Sequence, residues 1–355
     1  MSGELDLLDS TLRSLFDRHC TREARAEAAL GDDVPRQLWT VLESSGMTVL
    51  GEEAGLQELV VLARAVGRAA APVPLVEMAG LASWLAAEAG LVLPRGIATA
   101  AASQGTDDLR LTRTAAGWRV DGTLHRVPWG RVAATTIALV SGEEGPLAVS
   151  LGAPTAVRRG RNLAREPRDT LVYRDVALPP ASVAAVDVDA DALLQRGALL
   201  RSAAMAGAMD RVLDMTLDHA QTREQFGKPI STFQAVQAHL VAIAEESVCA
   251  DMAVRGAAVA QDAFSVAAAK VTASAAADVV TARAHQVHGA IGTTQEHPLH
   301  WYSTRLWSWQ DEFGNATLWA GRLGHEVVDG GAESLWHRLS RSLPDAAVTA
   351  AASTT

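Results

Sequence analysis

The stretch Arg223-Glu-Gln-Phe-Gly-Lys-Pro-Ile-Ser-Thr-Phe-Gln234, read with Gln286-Val-His-Gly-Ala-Ile-Gly292, decides how the rest of the chain is read. In the first stretch, Gly227 and Pro229 interrupt two helix-forming runs, so it reads as a helix–loop–helix corner. That corner gathers one arginine, Phe226, and two glutamines, Gln225 and Gln234. In the second, a glycine lets backbone approach a ligand closely; Glu296, Pro298 and Arg305 follow it. Arginine combined with backbone N–H groups suits a pyrophosphate. Each residue also has a plain structural role. Arg223 at a helix C-terminus can satisfy carbonyls and the dipole. Phe226 and Phe233 can be core, and Gly289 and Gly292 can simply end a helix.

Around these stretches, residues 186–345 read as long helices. Leu193–Ala220 is apolar on most faces and should be buried. Phe233, Val236, Leu240 and Ile243 begin a second long helix, and Ser265–Val287 is an alanine-rich third. His300–Phe313 and Thr317–Val328 read as helical again. Upstream, residues 94–185 have a different texture. Leu109–Thr114 and Trp118–Val120 alternate, and Ile137–Val140, Leu147–Leu151 and Leu171–Val176 are further strand candidates. Pro179-Pro180 closes this β domain. Residues 1–93 are helical: Leu5, Leu8, Leu12, Leu15 and Phe16 recur at helical spacing, and Pro35 sits where a helix can start. A further helix through Leu59–Val66 stops before Ala71-Pro72-Val73-Pro74. A short one follows over Glu77–Ala89. Residues 346–355 form a disordered tail. The expected fold class is α+β, mostly α: helical domain, middle β domain, C-terminal helical bundle.

Composition narrows the function classes. The 355 residues are 48% hydrophobic and 20% charged, enough for a sizeable core. Net charge is −10 with no Lys/Arg run, which argues against a nucleic-acid partner. Two cysteines, Cys20 and Cys249, exclude a disulfide framework or a cysteine-built metal site, and no metal is expected. The acidic start MSGELDLLDS is unlike a signal peptide. No apolar run reaches the roughly 20 residues of a membrane helix. The expectation is a soluble cytoplasmic protein without membrane association.

Together the Arg223–Gln234 and Gln286–Gly292 motifs resemble the acyl-CoA dehydrogenase family. So do Val34–Trp39, Ser45-Gly46, Val66-Gly-Arg68 and Pro72-Val-Pro74 in the helical domain, and Glu166–Asp169 through Pro179 at the exit from the β domain. The resemblance implies FAD as cofactor, an acyl-CoA thioester as substrate and an electron acceptor such as an electron-transfer flavoprotein. It also implies that the corner serves the ADP half of FAD held mainly by a neighbouring subunit. Residue by residue this carries over to Arg223, Gln225, Phe226, Gln234, Gln286 and Gly289, with Ala290 where the family has a second glycine.

Other positions depart from the family. Its usual base falls on Phe313 within Asp311-Glu-Phe-Gly-Asn315; Glu312 is one residue early, which on a helix or turn points about 100° away. The alternative base position falls on Gly197, and Arg196–Ala208 contains no carboxylate. The remaining local candidates are Glu312, Asp311 and Asp210; the expectation is that none is catalytic. The family's flavin-holding Thr-Glu-Pro-x-x-Gly-Ser-Asp is replaced by Ala98–Asp107, and its Trp-Ile-Thr/Ser stretch by Arg126-Val-Pro-Trp-Gly130. This pattern resembles the non-catalytic partner of heteromeric actinobacterial acyl-CoA dehydrogenases, in which unlike subunits form an α2β2 tetramer acting on CoA thioesters of steroid side chains. Two other readings stay open: a self-sufficient homomeric enzyme with a displaced base, and a flavin-free scaffold or binding protein of the same fold.

Overall fold

A computed structural model describes residues 2–31, 33–102 and 107–341. The N-terminal part holds α1 (Ser2–His19), α2 (Arg22–Leu30), α3 (Arg36–Ser44), α4 (Leu56–Arg68) and α5 (Ser83–Glu88). Pro35 stands at the N-cap of α3, as its fixed φ suits. Ahead of α5, Val76–Ala82 is π-helical where an ordinary helix was expected. A π turn widens the helix by one residue and is frequent at functional sites; here it buries Glu77.

The middle part is two four-stranded sheets. One runs β1 (Ala98–Ala102), β4 (Thr135–Gly142), β5 (Gly145–Leu151), β8 (Val183–Ala185), with β1 parallel to β4 and the rest antiparallel. The other is antiparallel: β2 (Arg110–Thr114), β3 (Gly117–Pro128), β7 (Arg168–Leu178), β6 (Ala156–Arg158). Val120, Leu124, Leu171 and Tyr173 of one sheet share a core with Ala138, Val140, Val149 and Leu151 of the other. The alternating and apolar runs in the sequence fall in these strands. The short β1, β6 and β8 were not anticipated, and β8 lies beyond the diproline expected to end the domain. Pro128 ends β3 without disrupting it.

The C-terminal part is α6 (Ala190–Thr222), α7 (Gln234–Ala260), α8 (Ala263–His288), α9 (Leu299–Trp309) and α10 (Ala316–Arg341). Helix α6 is the axle, buried along most of its length. It meets α4 where Gly67 and Gly207 leave no room for a Cβ against the opposite backbone. With its following turn, α8 is long and apolar enough to cross a membrane by length and composition, so the expectation that no such run exists needs correcting. Its faces are the reason: Ala269, Ala273, Ala276, Ala277 and Val280 are buried core residues, and a core helix passes the same test. The 310–315 segment, expected to finish a helix, turns back instead, with Phe313 at φ 55°. The expected disordered tail, 346–355, lies outside the described residues.

Candidate functional site

Where the three parts meet, the ends of β1 and β3, the start of α6 and the 311–314 turn enclose a cavity of about 240 Å³. Ala100–Ala102, Val127, Leu193 and Phe313 make it apolar; His125, Arg126, Arg168, Asp311 and Glu312 supply polarity. Behind it runs an alternating chain of buried charges. Glu312 accepts from Arg168 Nε and Nη2, both at 2.8 Å, and from Asn162 Nδ2 at 3.0 Å. It also pairs with Arg201 Nε at 3.0 Å. Arg201 reaches Glu77 of the π turn at 2.7 Å. Arg168 reaches Glu166, which pairs with Arg305 at 3.1 Å and accepts from Trp309 Nε1 at 2.9 Å. Three arginines thus balance three glutamates away from solvent, the arrangement that makes buried charge tolerable.

The network decides what Glu312 can do. Burial alone would raise its pKa, yet Arg168 and Arg201 outweigh burial and hold the carboxyl well below the usual range. A carboxylate held so acidic, with its oxygens already accepting from the Arg168 guanidinium and ion-paired with Arg201, is a poor proton acceptor. Phe313, at the family's usual base position, lies against Gly197, at the other one; a Cβ on Gly197 would run into the Phe313 ring. The two positions are therefore neighbours in space and neither carries a carboxylate. Beneath the turn, Lys270 is fully buried and donates to Trp309 O (2.7 Å) and Glu312 O (2.9 Å). Burial, helped by Arg201, pulls its pKa down to about 7. Lys270 thereby closes the C-terminal end of α9, where carbonyls lack intrahelical donors.

The other carboxylate candidates sit differently. Asp311 is exposed and lines the cavity. Asp210 does not. It binds Arg68 at 2.6 Å, beside Asp214 at 2.5 Å, fastening α6 to the end of α4. As a base at this cavity Asp210 is ruled out by position.

The corner lies elsewhere. Thr222 ends α6, and a two-rung hairpin of β9 (Glu224–Gln225) and β10 (Lys228–Pro229) carries the chain round to α7. Phe226 and Gly227 hold positive φ at its tip, the geometry of a tight hairpin turn. Phe226 is 91% exposed, which corrects its reading as core; it meets only the edge of Phe233, 6.0 Å away. The Arg223 side chain makes no hydrogen bond or ion pair among the described residues, so it does not satisfy the helix carbonyls. The end of α8 comes to the same place. His219 of α6 stacks on His288 of α8 at 4.5 Å, His297 meets His288 at 4.6 Å, and Arg283 touches His239 of α7 at 3.4 Å. Arg223, Gln225, Phe226, Gln234, Gln286, Gly289 and Ala290 are all exposed there, and none lines the inner cavity.

The reading of the sequence missed Glu77, Asn162, Arg168, Arg201 and Lys270 as a unit. One signal was available. Arg201 and Lys270 are charges inside apolar, alanine-rich helices, and charges almost never stay buried without partners. What those partners are depends on chain segments 39 to 124 residues distant, which no local pattern reveals.

Comparison with known proteins places this architecture. The family described as acyl-CoA dehydrogenase, C-terminal domain, matches residues 188–309. The acyl-CoA dehydrogenase IpdE2 of Mycolicibacterium smegmatis is 29% identical, covering 86% of this chain and 93% of its own. The acyl-CoA dehydrogenase FadE28 of Mycobacterium tuberculosis is 30% identical over 300 residues, 75% of this chain and 85% of its own. A chain of the ChsE4-ChsE5 complex from Mycobacterium tuberculosis superposes with a TM-score of 0.83 at 26% identity, covering 92% of this chain and 98% of the other. A chain of a variant of the Tcur3481-Tcur3483 steroid ACAD does so with a TM-score of 0.79 at 25% identity, covering 93% and 99%. With the C-terminal domain matched and a relative 30% identical over three quarters of this chain and 85% of its own length, the chain belongs to the acyl-CoA dehydrogenase family, whose members are FAD-dependent oxidoreductases.

Proposed function

We propose that this chain is the non-catalytic subunit of a heteromeric acyl-CoA dehydrogenase, lending ADP-side contacts to FAD held by a homologous partner that also supplies the base. One observation carries the reading: the two halves of the cofactor site differ in this chain. The corner offers a guanidinium without a side-chain partner among the described residues, an exposed aromatic face and the backbone at Gly289, a fit for the pyrophosphate and adenine of a cofactor reaching in from a neighbour. Among the described residues, the inner cavity fits a flavin ring poorly. Thr99 spends its hydroxyl on Pro128 O at 2.8 Å, Ala100–Ala102 offer no polar side chains, and Arg168 and Glu312 are bound to each other.

FAD supplies the hydride acceptor for α,β-dehydrogenation of a CoA thioester in this family. Removal of the α proton needs a carboxylate of ordinary basicity beside the substrate. Here the two family base positions are Gly197 and Phe313, and Glu312 is tied into the ion network. The base therefore comes from the partner. Two of the similar structures bear the names of two unlike chains, and one is called a steroid ACAD, which favours an α2β2 assembly acting on a steroid-type acyl-CoA. The competing reading, a self-sufficient enzyme, rests on Asp311 at the cavity mouth.

Co-expression with a homologous, glutamate-bearing partner tests the proposal by absorbance spectrum and mass. The chain alone should be colourless, and the complex should hold one FAD per unlike pair. Asp311→Asn should leave kcat of the complex within about tenfold, below the 10²–10⁴ that a general base supplies. Stoichiometric FAD on the purified chain alone overturns the proposal, as does a loss of three decades in Asp311→Asn with FAD content preserved.

A further inference from the structure

A second cavity, of about 350 Å³, opens farther along α6 and shares no lining residue with the first. It sits where α1 and α2 join, against the end of α4, the middle of α6 and the start of α9. That volume falls in the range of small-molecule sites, roughly 300–1,000 Å³. Four arginines from three separate elements converge on it: Arg22 and Arg25 of α2, Arg68 of α4 and Arg211 of α6. Side chains brought together from so many elements are a product of the fold, not of one helix's charge pattern.

Their partners differ. Arg68 is neutralised by Asp210 and Asp214. Arg25 pairs with no carboxylate among the described residues. Its Nε and Nη2 donate to Ala69 O at 3.0 and 2.7 Å, and its guanidinium lies over the Trp301 ring at 4.9 Å. Arg22 forms no ion pair among the described residues, and the nearest carboxylate to Arg211 is Asp214 at 4.0 Å. Asp17 and Glu296 are the acids of the lining. The floor is apolar, with Phe16, Met215 and the Trp301 ring, and Cys20 and Tyr302 are buried beside it. Burial pushes the Tyr302 hydroxyl up, Arg25 and Arg211 both work against that rise, and Cys20 adds to it.

We propose that this cleft binds a small organic anion, its oxyanion head held by Arg22, Arg25 and Arg211 and its apolar body against Phe16, Met215 and Trp301. Guanidinium forks match the planar geometry of carboxylate and the oxygens of phosphate. Arg25 is already fixed by two hydrogen bonds and a ring face, so little rotamer entropy opposes binding. The inference does not depend on the subunit proposal, because neither the inner cavity nor the corner takes part.

The test is calorimetric titration of the full chain at low ionic strength with phenyl phosphate, benzoate and inorganic phosphate, with phenol as neutral control. One saturable site is expected for an organic anion at a Kd of ~1 mM or tighter, weakening with salt. Preference between phenyl phosphate and benzoate assigns the head group. Arg211→Gln and Arg22→Gln should each weaken binding about tenfold, the loss of one charge-assisted contact. Arg25→Ala unpins the end of α4, so the decision rests on the other two variants. The proposal is overturned if none of the three anions saturates by ~10 mM, a tenth of the expected affinity. It is also overturned if phenol binds as well as the anions, or if the Arg22→Gln, Arg211→Gln double variant binds them unchanged.

Discussion

Glu312 shows how a residue next to a catalytic position can be committed to something else. It is one residue from the family's base, but its oxygens belong to Arg168, Arg201 and Asn162. Glu312→Gln should leave kcat of the assembled enzyme within about tenfold, yet lower stability by about 3–5 kcal/mol, the cost of removing one partner of a buried ion pair. Urea unfolding beside turnover separates the two; a kcat loss of three decades with the fold intact would make Glu312 the base. Arg223 is the opposite case, a charge with no hydrogen bond or ion pair from its side chain among the described residues. Arg223→Ala should weaken FAD binding in the complex about ten- to a hundredfold, for a contact worth about 1.5–3 kcal/mol. Arg223→Lys should rescue only part, since lysine has no planar fork. Unchanged FAD affinity would return Arg223 to a purely local role. His288, buried against His219 and His297, adds a pH dependence. Burial lowers its pKa to about 4, and those of His219 and His297 fall as well. An unfolded histidine takes up its proton near 6.5, so between about 6.5 and 4 the unfolded chain binds more protons than the folded one. Stability from this cluster is complete above about pH 6.5 and is lost as pH falls towards 4. Melting curves should show Tm dropping from pH 7 to pH 5, and His288→Gln should flatten that drop.

At the scale of elements, the packing of α6 is set by the absence of side chains. Gly67 and Gly207 let α4 and α6 touch backbone to backbone, and Gly197 makes room for Phe313. Gly207→Ala should destabilise the fold by about 1–3 kcal/mol, the range for overpacking a tight core, because the obstacle is Arg64 backbone, which cannot swing aside. Gly197→Ala meets a ring that can move, so it should cost less and shift the 311–314 turn. Denaturant midpoints of the two variants give the order; a larger loss in Gly197→Ala would mean that the turn is the stiffer element. The corner is the converse: the β9–β10 hairpin projects Phe226 into solvent at the price of an exposed ring. Isolated exposed rings are common; this one stands on the corner with Arg223 and two exposed glutamines, Gln225 and Gln234.

For the whole molecule, one apolar cluster runs from α1 and α4 through β1 and β4 to α6, α7 and α8, so the three parts share a core. The inner cavity and its ion network lie where those parts converge, and the corner lies at the outer end of the bundle. On the proposed subunit reading, a complete active site requires two chains. Mixing the separately purified chain with its partner and free FAD should restore dehydrogenase activity that neither chain shows alone. Activity of this chain by itself towards any acyl-CoA would refute the division of labour.

Local chemistry wrote much of this into the sequence. Helical periodicity in 1–93, alternation in Leu109–Thr114 and the punctuation at Gly227 and Pro229 each depend on neighbours within a few residues, and they appear in the structure as helices, strands and the corner. The place of the corner was legible too, because the glycine and proline that break the helices are a linear property, and the β9–β10 hairpin stands there. What the sequence could not carry was pairing over distance. That Glu312 is a network carboxylate, that Asp210 belongs to Arg68, and that Lys270 closes α9 follow from contacts 39 to 150 residues apart. Such charges choose partners by proximity in a water-poor interior, where each desolvated group must find its counterpart, and proximity exists only once the chain has folded.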